Sequence, residues 1–255
     1  MKLLTTANTK IRKGAKLGYL TFGMHLAPEK LSGFNVCKWA SKGCTAACLN
    51  TAGMGVYSSV QNARIAKTRF FFLEREAFMT QLHKEIGAAI RKAEKNNVIP
   101  CFRLNLTSDL PWENIKHDGQ TVMQAFPNVQ FYDYTPDLDR MRAFLSSHVN
   151  AQSWGGAMNK ITLGGHKWPA NYHLTFSRKE SNEDDCKVVD SEGGNIAVVF
   201  RKSIPETWNG KTVIDGDDTD LRFLDPQGVI VGLVEKGKAK KDLTGFVLEP
   251  SEGIA

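Results

Sequence analysis

The sequence predicts an α/β protein whose mainly parallel strands form a (βα)n barrel or partial barrel. Three observations lead there. Runs rich in branched and aromatic residues alternate with helical patterns, which calls for crossover connections and parallel pairing. Several of those runs end in polar clusters, as strands do when their carboxyl ends face a ligand. The first run also feeds a loop that holds three cysteines, Cys37, Cys44 and Cys48.

Taken in order, residues 17–27 read as a strand that stops at Pro28, and the cysteine loop follows as far as Gly53 and Gly55. Residues 58–95 predict one long helix, because Ile65, Phe72, Phe78, Met79, Leu82, Ile86 and Ile90 recur mostly at spacings of three, four or seven. Asn96 and Asn97 close it. A strand over 98–106 leads into a turn and helix start at 107–113, then a helix around 119–126, a strand over 129–135 and a helix over 136–147. Residues 150–169, rich in glycine and tryptophan, show no periodicity and read as an irregular connection. Strands at 172–177 and 195–200 flank the acidic stretch 180–185, and short strands within 212–222 and 225–234 close the same unit. With no linker or repeat, a single domain over 1–255 is expected, with 200–255 as a C-terminal closing extension.

Size and composition narrow the function. A chain of 255 residues buries about three quarters of its unfolded surface, so it needs no metal to hold a core. Its 42% hydrophobic and 24% charged content suits a soluble protein. No apolar run approaches the roughly 20 residues of a membrane span, and the first ten residues lack a signal-peptide core. A cytoplasmic protein without membrane contact is the expectation. The net charge of +6, part of it in lysines at 2–16 and 236–241, reads as solvated surface compatible with weak nucleic-acid affinity.

Three of the five cysteines lie within twelve residues, in Asn35-Val-Cys-Lys-Trp-Ala-Ser-Lys-Gly-Cys-Thr-Ala-Ala-Cys-Leu-Asn-Thr-Ala-Gly. Such clustering points to thiolates converging on a metal or an iron–sulfur cluster, with one coordination position left open. A reducing compartment and an odd cysteine count disfavour disulfides. Iron–sulfur is favoured over zinc because the chain has neither a histidine pair at finger spacing nor a second C-x-x-C. In a zinc site, His25 or His173 would supply the fourth ligand; otherwise each is a hydrogen-bonded histidine of a strand.

The predicted strand ends gather Arg103, Asn105, Ser108 and Asp109; then Tyr132, Asp133, Tyr134 and Thr135; then His173, Thr175, Ser177 and Arg178. Three such ends in succession predict a shared ligand cavity. The acidic run 215–220 lacks the glutamate of an EF-hand and reads as a polar turn salt-bridged to Arg222.

The cysteine string, with Arg-Leu-Asn-Leu-Thr-Ser-Asp, Phe-Tyr-Asp-Tyr-Thr, Asn-Tyr-His-Leu-Thr-Phe-Ser, Ala-Val-Val-Phe and Val-Ile-Asp-Gly-Asp, resembles the phage and prophage gene product 88 domain family over about residues 18–246. The motif order is also similar to three-cysteine phage proteins related to radical S-adenosylmethionine enzymes. That resemblance implies a [4Fe–4S] cluster on Cys37, Cys44 and Cys48, whose open iron chelates S-adenosylmethionine. It further implies a phage-type enzyme in the host cytoplasm that modifies a nucleotide, nucleic acid or peptide, with Asn105, Ser108, Asp109, Tyr134 and Ser177 lining the cofactor or substrate cavity. The radical-enzyme spacing is C-x3-C-x2-C, whereas the gaps here are six and three, and Arg103 to Asp109 stand where a Gly-Gly-Glu motif is usual. The rival is a non-catalytic zinc module that binds nucleic acid or a host protein.

Overall fold

The computed structural model describes residues 1–6, 13–152 and 168–251. Among them ten strands form one sheet in the order β1-β2-β3-β6-β7-β8-β11-β10-β9, with β12 added on β8. These are β1 (Leu4–Thr5), β2 (Tyr19–Met24), β3 (Ile99–Arg103), β6 (Gln130–Thr135), β7 (Tyr172–Ser177), β8 (Ile196–Phe200), β9 (Thr207–Trp208), β10 (Lys211–Asp215), β11 (Ile230–Val234) and β12 (Val247–Leu248). A separate hairpin pairs β4 (Lys116–His117) with β5 (Gln120–Thr121). From β2 through β3, β6, β7 and β8 to β11 the strands are parallel and follow chain order, so all their carboxyl ends lie on one side. Only β1 and β9 pair antiparallel, at the two ends of the path.

The protein is therefore mixed α/β with a mostly parallel sheet. The pairings run as an open path, and no closed barrel is formed among the described residues. The cysteine loop leaves the second strand of the chain rather than the first. The two-residue β1 precedes it, and a pair of residues is too short to show any periodicity.

Helices α1 (Lys42–Ala46), α2 (Ser58–Leu73), α3 (Arg75–Lys95), α4 (Val122–Ala125), α5 (Leu138–Gln152) and α6 (Glu183–Ser191) fill the connections. The long helix expected over 58–95 is two helices, broken at Glu74 (φ −134°, ψ 53°). Neither glycine nor proline causes the break. Phe70, Phe71 and Phe72 are consecutive and cannot share one face of a straight helix. With the bend, Phe70 meets Phe78 at 5.5 Å, Phe71 meets Trp112 at 5.5 Å and Phe72 stacks on Phe34 at 4.5 Å. Helix α3 buries Phe78, Met79, Leu82, Ile86, Ala89 and Ala93, the stripe that the spacing predicts.

That stripe packs on alternate residues of successive strands, Phe22, Phe102, Phe131, Leu174 and Phe176 among them. The other face carries Thr21, Cys101 and Tyr132, and Leu221 and Phe223 of the segment after β10 cover it. There Asp220 takes two hydrogen bonds from Arg103 at 3.0 and 3.1 Å, and Tyr132 Oη lies 3.5 Å from it. The acidic run is thus a clamp on the sheet. Arg222, expected to pair with this run, lies 3.2 Å from Asp225, three residues on along the same turn.

The segment 153–167, most of the glycine- and tryptophan-rich stretch, lies outside the described residues. At its end, Trp168 stacks on Tyr172 at 5.4 Å and donates from Nε1 to the Tyr172 carbonyl at 2.7 Å. Among the described residues no helix is long and apolar enough to cross a membrane.

Removing one partner of a buried ion pair strands the other, which costs about 3–5 kcal/mol. Asp220→Ala is therefore expected to destabilise the fold by about that amount, whereas exposed Asp218→Ala should stay within about 0.5 kcal/mol. Urea unfolding monitored by tryptophan fluorescence measures both.

Candidate metal centre

The cysteine loop is shaped by its own polar side chains. Asn35 Oδ1 accepts from the Cys37 amide at 2.9 Å, and Ser41 Oγ caps α1 by accepting from the Cys44 amide at 3.1 Å. The Asn50 amide donates to Cys48 Sγ at 3.5 Å as the chain enters the 3-10 turn Leu49–Thr51. Cys37 Sγ lies 3.9 Å from the Thr107 carbonyl, a contact that ties the first thiol to the turn after β3.

Three strand ends grip this loop from below. After β3, the Asp109 amide donates to the Val36 carbonyl at 2.7 Å. After β6, Asp137 Oδ2 accepts from Trp39 Nε1 at 2.8 Å. After β7, Glu180 accepts from the Gly43 amide and from Ser41 Oγ, each at 2.7 Å, while Lys179 Nζ donates to the Trp39 carbonyl at 2.7 Å. A Cβ at Gly43 would stand 2.7 Å from Glu180 Oε2 and closer still to Thr244 Oγ1, so a larger residue would displace the Glu180 grip. Ala47 packs with Ala239 and Val247, which seats the loop on the C-terminal segment.

No disulfide joins any of the five cysteines. Burial pushes the Cys37 thiol up to about 12 and the Cys44 thiol to about 11, and it raises Cys48 as well. Negative charge on Cys48 raises both Cys37 and Cys44 further, so the three sulfurs lie within electrostatic reach of one another. Protonated thiols of this kind are poor nucleophiles, and only a metal or a comparable cation would draw the protons off.

Buried Arg64 of α2 stands beside Cys48, lowering its pKa, and donates to Asn50 Oδ1. Its Nε is buried without a hydrogen-bond partner. Asp109, whose charge is felt by Cys37 and Cys44, has a buried Oδ2 that likewise lacks one. Soft thiolate donors, an amide aimed at sulfur and a buried cation alongside fit an anionic iron–sulfur cluster. Among the described residues no three His, Cys, Asp or Glu side chains are placed to hold a metal ion, and neither His25 nor His173 joins the thiols in such a group.

The other residues singled out from sequence fall into two sets. Asn105 and Ser108 are spent in the turn: Asn105 Oδ1 accepts from Ser108 Oγ, the Leu110 amide and Trp112 Nε1 at 2.8, 3.0 and 3.2 Å, and its Nδ2 donates to the Leu110 carbonyl. Asp109 pairs with Arg140 at 2.5 Å. Tyr134 lies under Arg103, whose guanidinium is 4.4 Å from the ring centroid, and the Ser177 carbonyl accepts from Asn182 at 3.0 Å. His173 packs on Phe144 at 5.0 Å. His25 is held neutral, pushed down to about 3 by burial and by Arg64, Lys67 and Arg103.

Glu180, Arg64 and Arg140 escaped the sequence reading. Glu180 showed only as part of an acidic stretch, and the two arginines looked like ordinary members of helix faces.

A family model described as Gene product 88 matches residues 2–249. The chain belongs to the Gene product 88 family. No curated protein and no solved structure matches it. The matched span takes in the cysteine loop, its three strand-end grips and the closing strands, so this whole arrangement lies within the Gene product 88 unit.

Glu180→Ala leaves the Gly43 amide and Ser41 hydroxyl without their acceptor, at a cost of about 1–3 kcal/mol. Hydrogen exchange should quicken over residues 41–48 and stay unchanged in α3. His25 gives a pH signature. Between its ordinary value near 6.5 and the native value of about 3, the unfolded chain takes up a proton that the native protein refuses, so stability falls as pH drops through that window. Urea midpoints at pH 7 and 5 should differ less in His25→Gln than in the parent.

Proposed function

We propose that this chain is an iron–sulfur enzyme in which Cys37, Cys44 and Cys48 hold a [4Fe–4S] cluster by three irons, leaving the fourth for a small-molecule cofactor. One observation carries the reading: three half-buried thiols within electrostatic reach of one another stand in one loop, held at the carboxyl ends of parallel strands that follow chain order. The size of the hydrophobic core argues against a metal needed merely for folding.

The finer part of the proposal is that S-adenosylmethionine is the cofactor and that a nucleotide, nucleic acid or peptide is modified. Cys37, Cys44 and Cys48 would hold the cluster, which, once reduced by an external one-electron donor, would supply the electron for cleaving the sulfonium to methionine and an adenosyl radical that abstracts hydrogen from the substrate. The protein binds, orients and excludes water. Arg64 faces the negative charge of the cluster, and Asp109 presents an unpartnered oxygen to an amino group. Tyr134 and Ser177 are assigned to the substrate side of the site by this proposal, while Asn105 and Ser108 hold the turn from which Asp109 projects.

Anaerobic reconstitution with iron and sulfide, followed by metal analysis, tests the centre. Alanine at Cys37, Cys44 or Cys48 should strip most of the iron, and Cys186→Ala should not. Full iron occupancy in Cys44→Ala would overturn the proposal; colourless zinc-loaded protein would favour the zinc module instead. In reduced, cluster-loaded protein, S-adenosylmethionine should bind by calorimetry and yield 5′-deoxyadenosine, with Asp109→Ala weakening binding by about 1–3 kcal/mol.

A further inference from the structure

We propose that the rim of the cysteine loop binds single-stranded nucleic acid, with Lys42, Lys238, Lys240 and Lys241 on its phosphates and Trp39 and Tyr57 on its bases. This deepens the proposed function by naming a substrate class, and it rests on that reading only for what happens to the strand once bound.

The geometry comes from the C-terminal segment. The 3-10 turn Gly237–Lys241 lies against the turn Leu49–Thr51, and Ala239 packs in one cluster with Ala47. Lys238, Lys240 and Lys241 therefore stand beside the cysteines, with Lys42 on the loop itself. All four are exposed. Among the described residues the lysines that form ion pairs are Lys187, Lys211 and Lys236, so these four do not. The acids of the same rim are already engaged: Glu180 on the loop, Asp217 on Lys236, Glu249 on Arg201, and Asp242 on Thr244 and the Val247 amide. Glu180 and Asp242 accept from neutral donors and keep their charge, so what faces solvent is a lysine-rich arc whose four cations outnumber those two acids.

Two exposed aromatic rings belong to the same loop, Trp39 with Lys38 Nζ 4.7 Å from its ring centroid and Tyr57 directly after the turn Gly53–Val56. Trp39 is 40% exposed with its Nε1 pinned by Asp137, and Tyr57 is 57% exposed. Cations that track a backbone, interleaved with rings on which bases stack, are what single strands require. A duplex would want an element long enough to enter a groove, and α1 has only five residues.

Fluorescence anisotropy on the full chain tests this, using labelled mixed-sequence DNA and RNA strands of about 16 nucleotides. Protein with and without reconstituted iron should bind, and for four phosphate contacts log K should fall with log salt at a slope of about −2.8. The triple variant Lys238→Glu, Lys240→Glu, Lys241→Glu should weaken binding by about tenfold or more and flatten the slope by about 2. Trp39→Ala should weaken binding with the slope unchanged. Lys92→Glu with Lys95→Glu, at the far end of α3, should have no effect. Binding by iron-free protein sustains the inference even if the cluster reading fails. Iron-loaded protein that binds no strand overturns it and leaves the cluster reading standing. Equal loss in the α3 variant, or displacement of the strand by polyglutamate at matched ionic strength, also overturns it, the latter pointing to an acidic protein partner.

Discussion

Asp133 is buried at the centre of the sheet, and the way its charge is met organises everything above it. Its Oδ1 accepts from the Asn105 amide at 2.8 Å, and its Oδ2 receives Tyr172 Oη at 3.0 Å. Arg103 stands 3.9 Å away on one side and carries the chain of contacts to Asp220. On the other, Arg140 donates to Tyr172 Oη and then to Asp109, Thr135 and Glu113. One polar chain thus crosses β3, β6 and β7 just below the cysteine loop. Burial holds the Asp133 carboxyl up at about 7, with Arg103 opposing. Such a network resists breakage because every member removed leaves a desolvated partner behind.

That network converts a sheet into a platform for the loop. Arg140 fixes Asp109, and the Asp109 amide fixes Val36 immediately before Cys37. Glu180 fixes the turn before Cys44. The two grips reach the loop from strands on either side of β6, so the spacing of the cysteines is set by the spacing of strand ends. Both grips bracket the six-residue gap, Val36 just before Cys37 and Gly43 just before Cys44.

The parallel strands and the α3 stripe were legible because periodicity records burial, and β2, β3, β6, β7, β8 and β11 each present alternating or continuous apolar faces. The two-residue strands β1, β4, β5, β9 and β12 were not, since two residues are too few to show a period. The bend at Glu74 follows from three adjacent phenylalanines, a packing conflict that helix propensity does not register. The cysteine cluster stood out by composition alone. Its surroundings did not: whether Asn105 meets a ligand or its own turn depends on Leu110 and Trp112 closing around it, and Glu180 acquires its role only through a residue 137 positions away.

The protonated thiols explain how the same platform can be stable without metal. With Cys37 and Cys44 lifted to about 12 and 11, the loop buries no thiolate charge when unloaded, and Arg64 is the one group left with an unmet donor beside Cys48. On the proposed reading, loading would reverse this balance: protons would leave, and the negative charge arriving would meet Arg64, whose Nε lacks a hydrogen-bond partner. The fold therefore sets half-buried thiols of raised pKa beside a buried cation, Arg64, an arrangement that favours negative charge on Cys48 over negative charge on Cys37 or Cys44.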